Sequence, residues 1–255
     1  MLKLASLSRW QAGAGHLLLS ATIAAALLAA MMLVWYPRPY FEAAGGNGLV
    51  LLMVGIDVAL GPLLTLAVFN PAKGLTKLRV DLAVIGLLQV TALAYGMHVM
   101  YVARPAWLVF AVDRFDLVMI NQLSDSELAK AAPPWNVRPW GKPATIGAKV
   151  PADPKLREES LFLALAGIDL SQQPRFFVPY EAVAAEAGRR AKPLAELREL
   201  NPQAQATIDA IVARSGRTEA DLAFLPAKAP ERDFAVVVER AGGAIVQRVM
   251  LQPWP

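Results

Sequence analysis

The chain has 255 residues, of which 56% are hydrophobic and 18% are charged, whereas a soluble domain usually carries about 25% charged residues. It contains no cysteine, which excludes disulfides, thiolate metal sites and cysteine nucleophiles. Its net charge of +4 comes without a long basic run, so we do not expect nucleic acid as a partner.

The charged residues divide the sequence into two parts. Residues 1–102 hold six basic and three acidic side chains, whereas residues 103–255 hold 19 basic and 18 acidic ones. The first part has the composition of a membrane region and the second that of a soluble domain. We therefore predict an N-terminal tail over residues 1–16, a membrane region over residues 17–102 and a separate domain over residues 103–255.

Three apolar runs in the first part, residues 17–36, 49–69 and 82–102, are each long enough to cross a hydrocarbon core of ~30 Å as a helix. The first run exceeds the apolar core of a signal peptide and ends in Trp35 and Tyr36 without a small-residue cleavage site. We interpret it as a retained anchor, so the sequence predicts three transmembrane helices and a lipid bilayer as partner.

The basic residues predict the orientation of these helices. The tail carries Lys3 and Arg9 without an acidic residue, the first loop (37–48) is neutral, and the second loop (70–81) has three basic residues against one acidic one. Because positively charged short loops stay in the cytoplasm, the tail and the second loop are predicted to be cytoplasmic. Three crossings then place residues 103–255 outside the cytoplasm.

Asp57 is the one charged residue in the second apolar run. A carboxylate inside a membrane span costs roughly 2.5 kcal/mol or more, so it is expected to face protein and to have a partner. Matching depths along the helices at about 1.5 Å per residue favours Tyr95 as the hydrogen-bond partner, followed by His98. Two interpretations stay open: a proton or partner-recognition site, or a neutral packing residue.

Gly61 and Pro62 interrupt the same run. Proline lacks a backbone N–H and clashes with the preceding helical turn, so a kink is predicted here.

Residues 103–255 are predicted to form a small α+β domain. Two β-rich runs, 106–112 and 115–120, flank Asp113 and Arg114, as either a hairpin or one bent strand. Residues 133–154 contain six prolines and are predicted to be irregular and extended, and the clearest hairpin lies over residues 234–251. The acidic residues near Arg114 are expected to be solvated; without a nucleophile, glycine-rich loop or metal-ligand spacing, we predict no enzyme, no cofactor and no metal.

Several stretches resemble the accessory proteins encoded beside type IV pilins, the TfpX/TfpZ-type family of bacterial inner-membrane proteins. The resemblance covers nearly the whole chain and is densest over residues 34–115. The matching stretches are residues 34–46, 55–66, 69–71, 79–82, 104–105 and 112–115, with 166–169, 177–180 and the closing hairpin in the C-terminal part.

The resemblance implies a protein without enzymatic activity that assists a major type IV pilin, as a chaperone or as a modulator of pilin stability, pilus assembly or the balance of extension and retraction. It also implies an inner-membrane location with residues 103–255 in the periplasm. Two other functions stay open at this point: a membrane transferase that modifies pilin, and a structural subunit of an envelope machine.

Overall fold

The computed structural model describes residues 7–255, and these form two compact units. The helical unit contains the chain up to Leu33 together with Gly46–Val102. The sheet unit contains Val34–Gly45 and Ala103–Pro255. The boundary after Val102 lies where the charge composition changes, whereas the assignment of Val34–Gly45 to the sheet unit was not anticipated.

The helices before residue 103 are, in chain order, α1 (Arg9–Val34), α2 (Tyr40–Ala43), α3 (Gly46–Val54), α4 (Gly61–Val68) and α5 (Leu75–Val102). Helix α2 belongs to the sheet unit and the others form the helical unit. A π-helical turn, Gly55–Leu60, joins α3 to α4, and a short 3₁₀ helix, Pro71–Lys73, precedes α5.

Helices α1 and α5 are long and apolar enough to cross a membrane, and the shorter apolar stretch Asp57–Val68 lies between them in the chain. Both long helices begin earlier than the sequence predicted, at Arg9 instead of residue 17 and at Leu75 instead of residue 82. The predicted runs begin just after His16 and just after Asp81, because polar side chains end an apolar run, but such side chains do not end a helix. The predicted kink at Gly61 and Pro62 corresponds to the π-helical turn just before them.

The sheet unit contains β1 (Pro105–Ala111), β2 (Arg114–Met119), β3 (Ala144–Ala148), β4 (Phe177–Pro179), β5 (Lys192–Pro193), β6 (Leu222–Lys228), β7 (Phe234–Glu239) and β8 (Ile245–Val249). Its helices are α6 (Asp125–Leu128), α7 (Pro154–Leu165), α8 (Ala184–Arg190), α9 (Leu194–Leu200) and α10 (Gln205–Ser215). The strands form one mixed sheet in the order β4-β3-β1-β2-β6-β7-β8, and β5 pairs with β6.

Strand β1 is buried along its whole length because side chains pack on both faces of the sheet. Leu108 and Phe110 belong to one core cluster, whereas Trp107 and Val109 belong to another on the opposite face. This alternation follows from the two-residue period of a strand. The hydrophobic run that predicted a strand here therefore contributes side chains to the core on both faces of the sheet.

The α+β character of the C-terminal part and the predicted hairpin over residues 234–251 are confirmed, since β7 pairs antiparallel with β8. Of the two alternatives for residues 106–120, the structure has the hairpin, because β1 pairs antiparallel with β2. The alternative of one bent strand over residues 106–120 is wrong. The proline-rich segment 133–154 is not irregular throughout, because it contains β3, which pairs in parallel with β1.

The segment Val34–Gly45, between α1 and α3, packs into the core of the sheet unit. The Tyr40 ring lies edge-on to Phe234 with 6.1 Å between centroids, and both residues belong to one buried cluster with Ala43. The Ala43 carbonyl accepts hydrogen bonds from the backbone N–H groups of Glu231 and Arg232 at 3.1 and 3.2 Å. We call Val34–Gly45 the docked segment, since it is an integral part of this fold.

Candidate functional site

Asp57 lies at the centre of the helix that α3, the π-helical turn and α4 form together, eleven residues after Gly46 and eleven before Val68. The residue is 5% exposed. Neither carboxylate oxygen has a hydrogen-bond partner within residues 7–255. Buried polar groups are normally paired, so this carboxyl group calls for an explanation beyond packing.

The backbone around Asp57 is stabilised by a glutamine from α5. In the π-helical pattern a carbonyl faces the N–H five residues later, and for Asp57 that residue is Pro62, which has no N–H. The Gln89 Nε2 atom donates to the Asp57 carbonyl oxygen instead, at 2.9 Å. Gly61 permits this approach, because a Cβ atom at its position would lie 2.1 Å from Gln89 Nε2.

A groove of about 170 Å³ opens above Asp57 within the helical unit. Apart from Asp57, its wall consists of α1 and α5 residues that are mainly apolar: His16, Leu19, Ser20, Ile23, Ala24, Gly86, Gln89, Val90 and Leu93. The side chains of Leu19, Ile23 and Val90 are exposed, so the groove is accessible from the outer surface of the helices.

His16, which lines one side of this groove, is hydrogen-bonded to α4. The His16 Nδ1 atom lies 2.5 Å from Thr65 Oγ1, which ties α1 to α4 within the helical unit. Sequence reasoning placed His16 in the N-terminal tail and assigned no role to it. The four-residue spacing of His16 and Ser20, which places two polar side chains on one face of an otherwise apolar helix, is the signal that indicates an inward-facing side.

The predicted hydrogen bond between Asp57 and Tyr95 is not present in the structure. Tyr95 is 70% exposed, and it follows Gly86 by about two and a half helical turns, which places it on the opposite face of α5 from the groove. His98 is exposed as well. Matching depth along two helices identifies residues at the same level but not the face on which they lie, and Gln89 occupies the facing position.

Gly61→Ala is expected to destabilise the helical unit by about 1–3 kcal/mol, because the new methyl group displaces Gln89 and leaves the Asp57 carbonyl without its donor. Chemical unfolding of the detergent-solubilised protein measures this change. Gly55→Ala is the matched control, since no described atom lies within 4 Å of the added Cβ. Equal stabilities of the two variants would contradict the assigned role of Gly61.

The sheet unit contains a second polar cluster around Arg114. Its guanidinium pairs through Nε with Asp116 at 2.9 Å and through a terminal nitrogen with Asp169, also at 2.9 Å. Burial raises the pKa of Asp116, while the Arg114 guanidinium opposes this shift. Arg114 thus joins β2 to the turn at Asp169, and Asp116 is a buried ion-pair partner instead of the solvated acid that we predicted.

Asp113 is exposed at the tip of the β1–β2 hairpin and is not part of that ion pair. The turn bends sharply at Val112, whose φ is +62° and across which Asp113 N–H donates to Ala111 O at 2.8 Å. This three-residue turn is a strained conformation for a β-branched residue. The structure therefore brings Arg114 to Asp116 and Asp169, whereas Asp57, Gly61 and Pro62 belong to the helical unit.

Across residues 7–255, no three histidine or acidic side chains are grouped so that they could hold a metal ion. The Asp57 groove offers one carboxyl group in apolar surroundings, and in the Arg114 cluster Asp116 and Asp169 each accept one hydrogen bond from the guanidinium.

Comparison with known proteins identifies the family of this chain. A fimbrial assembly protein of Dichelobacter nodosus, serogroup I, is 34% identical over 212 residues, which cover 83% of this chain and 82% of that protein. The chain belongs to the fimbrial assembly protein family. The serogroup E1 protein of the same organism is 32% identical over an equal length, and the protein of serogroups C1 and C2 is 40% identical over 116 residues, 46% of this chain and 88% of its own.

The model of the family "Fimbrial assembly protein FimB" matches residues 5–45. In the described part of the chain, this match runs from α1 through the docked segment. No solved structure matches the chain. Membership of the fimbrial assembly family confirms the resemblance to pilin accessory proteins.

Proposed function

We propose that this protein is an inner-membrane accessory protein of type IV pili that binds a major pilin and controls its stability, its assembly or the balance of pilus extension and retraction. Family membership supports a role in fimbrial assembly. We infer that the helical unit and the sheet unit act together in this role. The observation that carries this inference is the docked segment, which lies in the chain between two apolar helices and yet packs into the sheet unit.

The docked segment constrains how the chain crosses the bilayer. Chain continuity requires the C-terminal end of α1, the N-terminal end of α3 and the C-terminal end of α5 to lead directly into the sheet unit. Because a folded domain lies on one side of a membrane, these three helix ends share a side. An odd number of crossings, with the helix Gly46–Val68 as the second span, satisfies this requirement.

A reporter that is active only outside the cytoplasm is expected to be active when fused after residue 120 and silent when fused at Lys77. The second loop carries Lys73, Lys77 and Arg79 against one acidic residue, so it is retained on the cytoplasmic side. Cell fractions and immunoblots confirm that both fusions are inserted in equal amount. Activity at Lys77 with silence after residue 120 would reverse the orientation.

The proposed activity is binding without covalent chemistry. A pilin in the inner membrane presents one apolar helix and one periplasmic head, and this chain offers apolar helices and a sheet domain that can contact both. The two polar clusters described above lack an activated nucleophile, which further supports this proposal.

Deleting this protein is expected to change the amount of pilin or its display at the cell surface, while the mass of the pilin stays the same. Intact-protein mass spectrometry of pilin from cells with and without the chain, together with quantification of surface pili, measures both effects. Complementation with the full chain is the control. A covalent mass difference that depends on this protein would support a pilin-modifying transferase instead.

A further inference from the structure

We propose that the groove at Asp57 is a docking site for a transmembrane helix that presents a hydrogen-bond donor to the Asp57 carboxyl group. This inference rests on the proposed function, which makes the apolar helix of the pilin the occupant.

The first observation that supports this docking site is the unpaired Asp57 carboxyl group at the base of the groove. The side chain of Asp57 is 5% exposed, both of its oxygens are without a partner among the described residues, and it lines the groove directly. The nearby donor, Gln89 Nε2, is engaged with the backbone carbonyl of Asp57. His16, which lines the groove, is engaged as well, with Thr65 of α4. Because no described residue donates to the carboxyl group, an incoming molecule can supply the donor.

The depth of Asp57 defines the class of that molecule. The residue is central in the helix Gly46–Val68, about 16 Å from either end at 1.5 Å per residue. A lipid headgroup stays near the surface of a hydrocarbon core of about 30 Å, so it does not reach this level. A transmembrane helix can carry a hydroxyl, amide or amine group at any depth, and such groups bond between helices in membranes.

The walls of the groove fit an apolar helix. Leu19 and Ile23 on α1 and Val90 on α5 project from its rims, with exposed fractions of 60%, 42% and 65%. Gly86 and Ala24 lie between them and leave room for close backbone approach. The combination of apolar rims, small residues and one unpaired acceptor is complementary to a helix that is apolar except for one donor.

The test places a photo-crosslinking amino acid at Val90 of the full chain, in inner membranes that contain the cognate tagged pilin. The expected product is a crosslink to pilin. Asp57→Leu should lower its yield about fivefold to tenfold, whereas Asp57→Asn, which keeps a carbonyl acceptor, should stay within about twofold of the original yield. Val84 is the control position, because it is exposed on the opposite face of α5.

A second variant tests the proposal independently in case Asp57→Leu misfolds. Gly86→Leu fills the groove without altering Asp57, since no described atom lies within 4 Å of the added Cβ, and it should lower the Val90 crosslink by a similar factor. The membrane abundance of each variant is measured in parallel. An unchanged crosslink in both variants at normal abundance would overturn the proposal, as would an equal loss in Asp57→Asn and Asp57→Leu.

A further crosslinking position distinguishes failure of this inference from failure of the proposed function. A crosslinker at Phe162, which is 64% exposed on α7 of the sheet unit, reports contact with the pilin head. A pilin product from Phe162 with none from Val90 would overturn the proposal that the groove docks the pilin helix, and it would leave the proposed function intact. Crosslinks from Val90 only to lipid or to a second copy also overturn it, and the absence of pilin products from all positions overturns both proposals.

Discussion

A protein made of residues 103–255 alone is expected to be less stable than one that also carries the docked segment, by about 3 kcal/mol or more. The sequence predicted residues 103–255 as the complete soluble domain. In the structure, Tyr40 and Ala43 are 4% and 0% exposed inside the core of that domain. Removing them leaves a cavity next to Phe234 and two backbone N–H groups without their acceptor.

Chemical unfolding of two soluble proteins measures this difference: residues 103–255, and the same residues joined by a flexible linker to residues 34–45. A third protein with Tyr40→Ala in the joined segment should lose most of the added stability. Arg38→Ala is the matched control, because Arg38 is exposed within the same segment. Equal unfolding midpoints and slopes for the first two proteins would show that the docked segment contributes nothing to the fold.

The sequence predicted those features that depend on local patterns. Apolar runs and the turn residues between them identified the β7–β8 hairpin, and they identified β-rich runs at β1 and β2 without deciding how these pair. Ser124 and Glu127 have the spacing of a capping box, which is typical of a helix start, and at the start of α6 the Ser124 hydroxyl accepts the Glu127 N–H at 3.2 Å. Gly216 ends α10 in the left-handed conformation, as expected of a glycine after a helix.

The features that sequence reasoning missed depend on pairing between distant residues. Strand β6 contains Pro226 and pairs in parallel with β2, more than a hundred residues earlier in the chain. Asn201 precedes a proline, a pattern typical of a helix cap, but its side chain donates to Leu197 O and Gln252 O and accepts from Gln252 N–H. No local pattern specifies such partners.

The candidate site shows the same division between local and long-range information. The cost of a carboxylate in an apolar run singled out Asp57, and Pro62 indicated the helix irregularity that lies next to it. The identity of the facing residues required the rotation of α5, which directs Gln89 towards the groove and Tyr95 away from it. A rotation of α5 by about half a turn would have reversed this assignment.

The full chain is expected to bind its pilin about 10²–10⁴-fold more tightly than either the helical unit or the sheet unit alone. The proposed contacts are the Asp57 groove with the pilin helix and the sheet unit with the pilin head. When both sites belong to one chain, the second contact forms at the high effective concentration that the first contact creates. Each unit alone has only its own modest affinity.

Titration of fluorescent pilin against the full chain in nanodiscs gives the reference affinity. The comparison proteins are the chain truncated after residue 103 in the same nanodiscs, and the soluble sheet unit that retains residues 34–45. In cells, the truncated chain should insert and yet fail to support normal piliation, and the sheet unit exported to the periplasm should fail to replace it. If the truncated chain bound pilin and restored surface pili as the full chain does, the sheet unit would have no part in pilin binding, and recognition would lie in the helices alone.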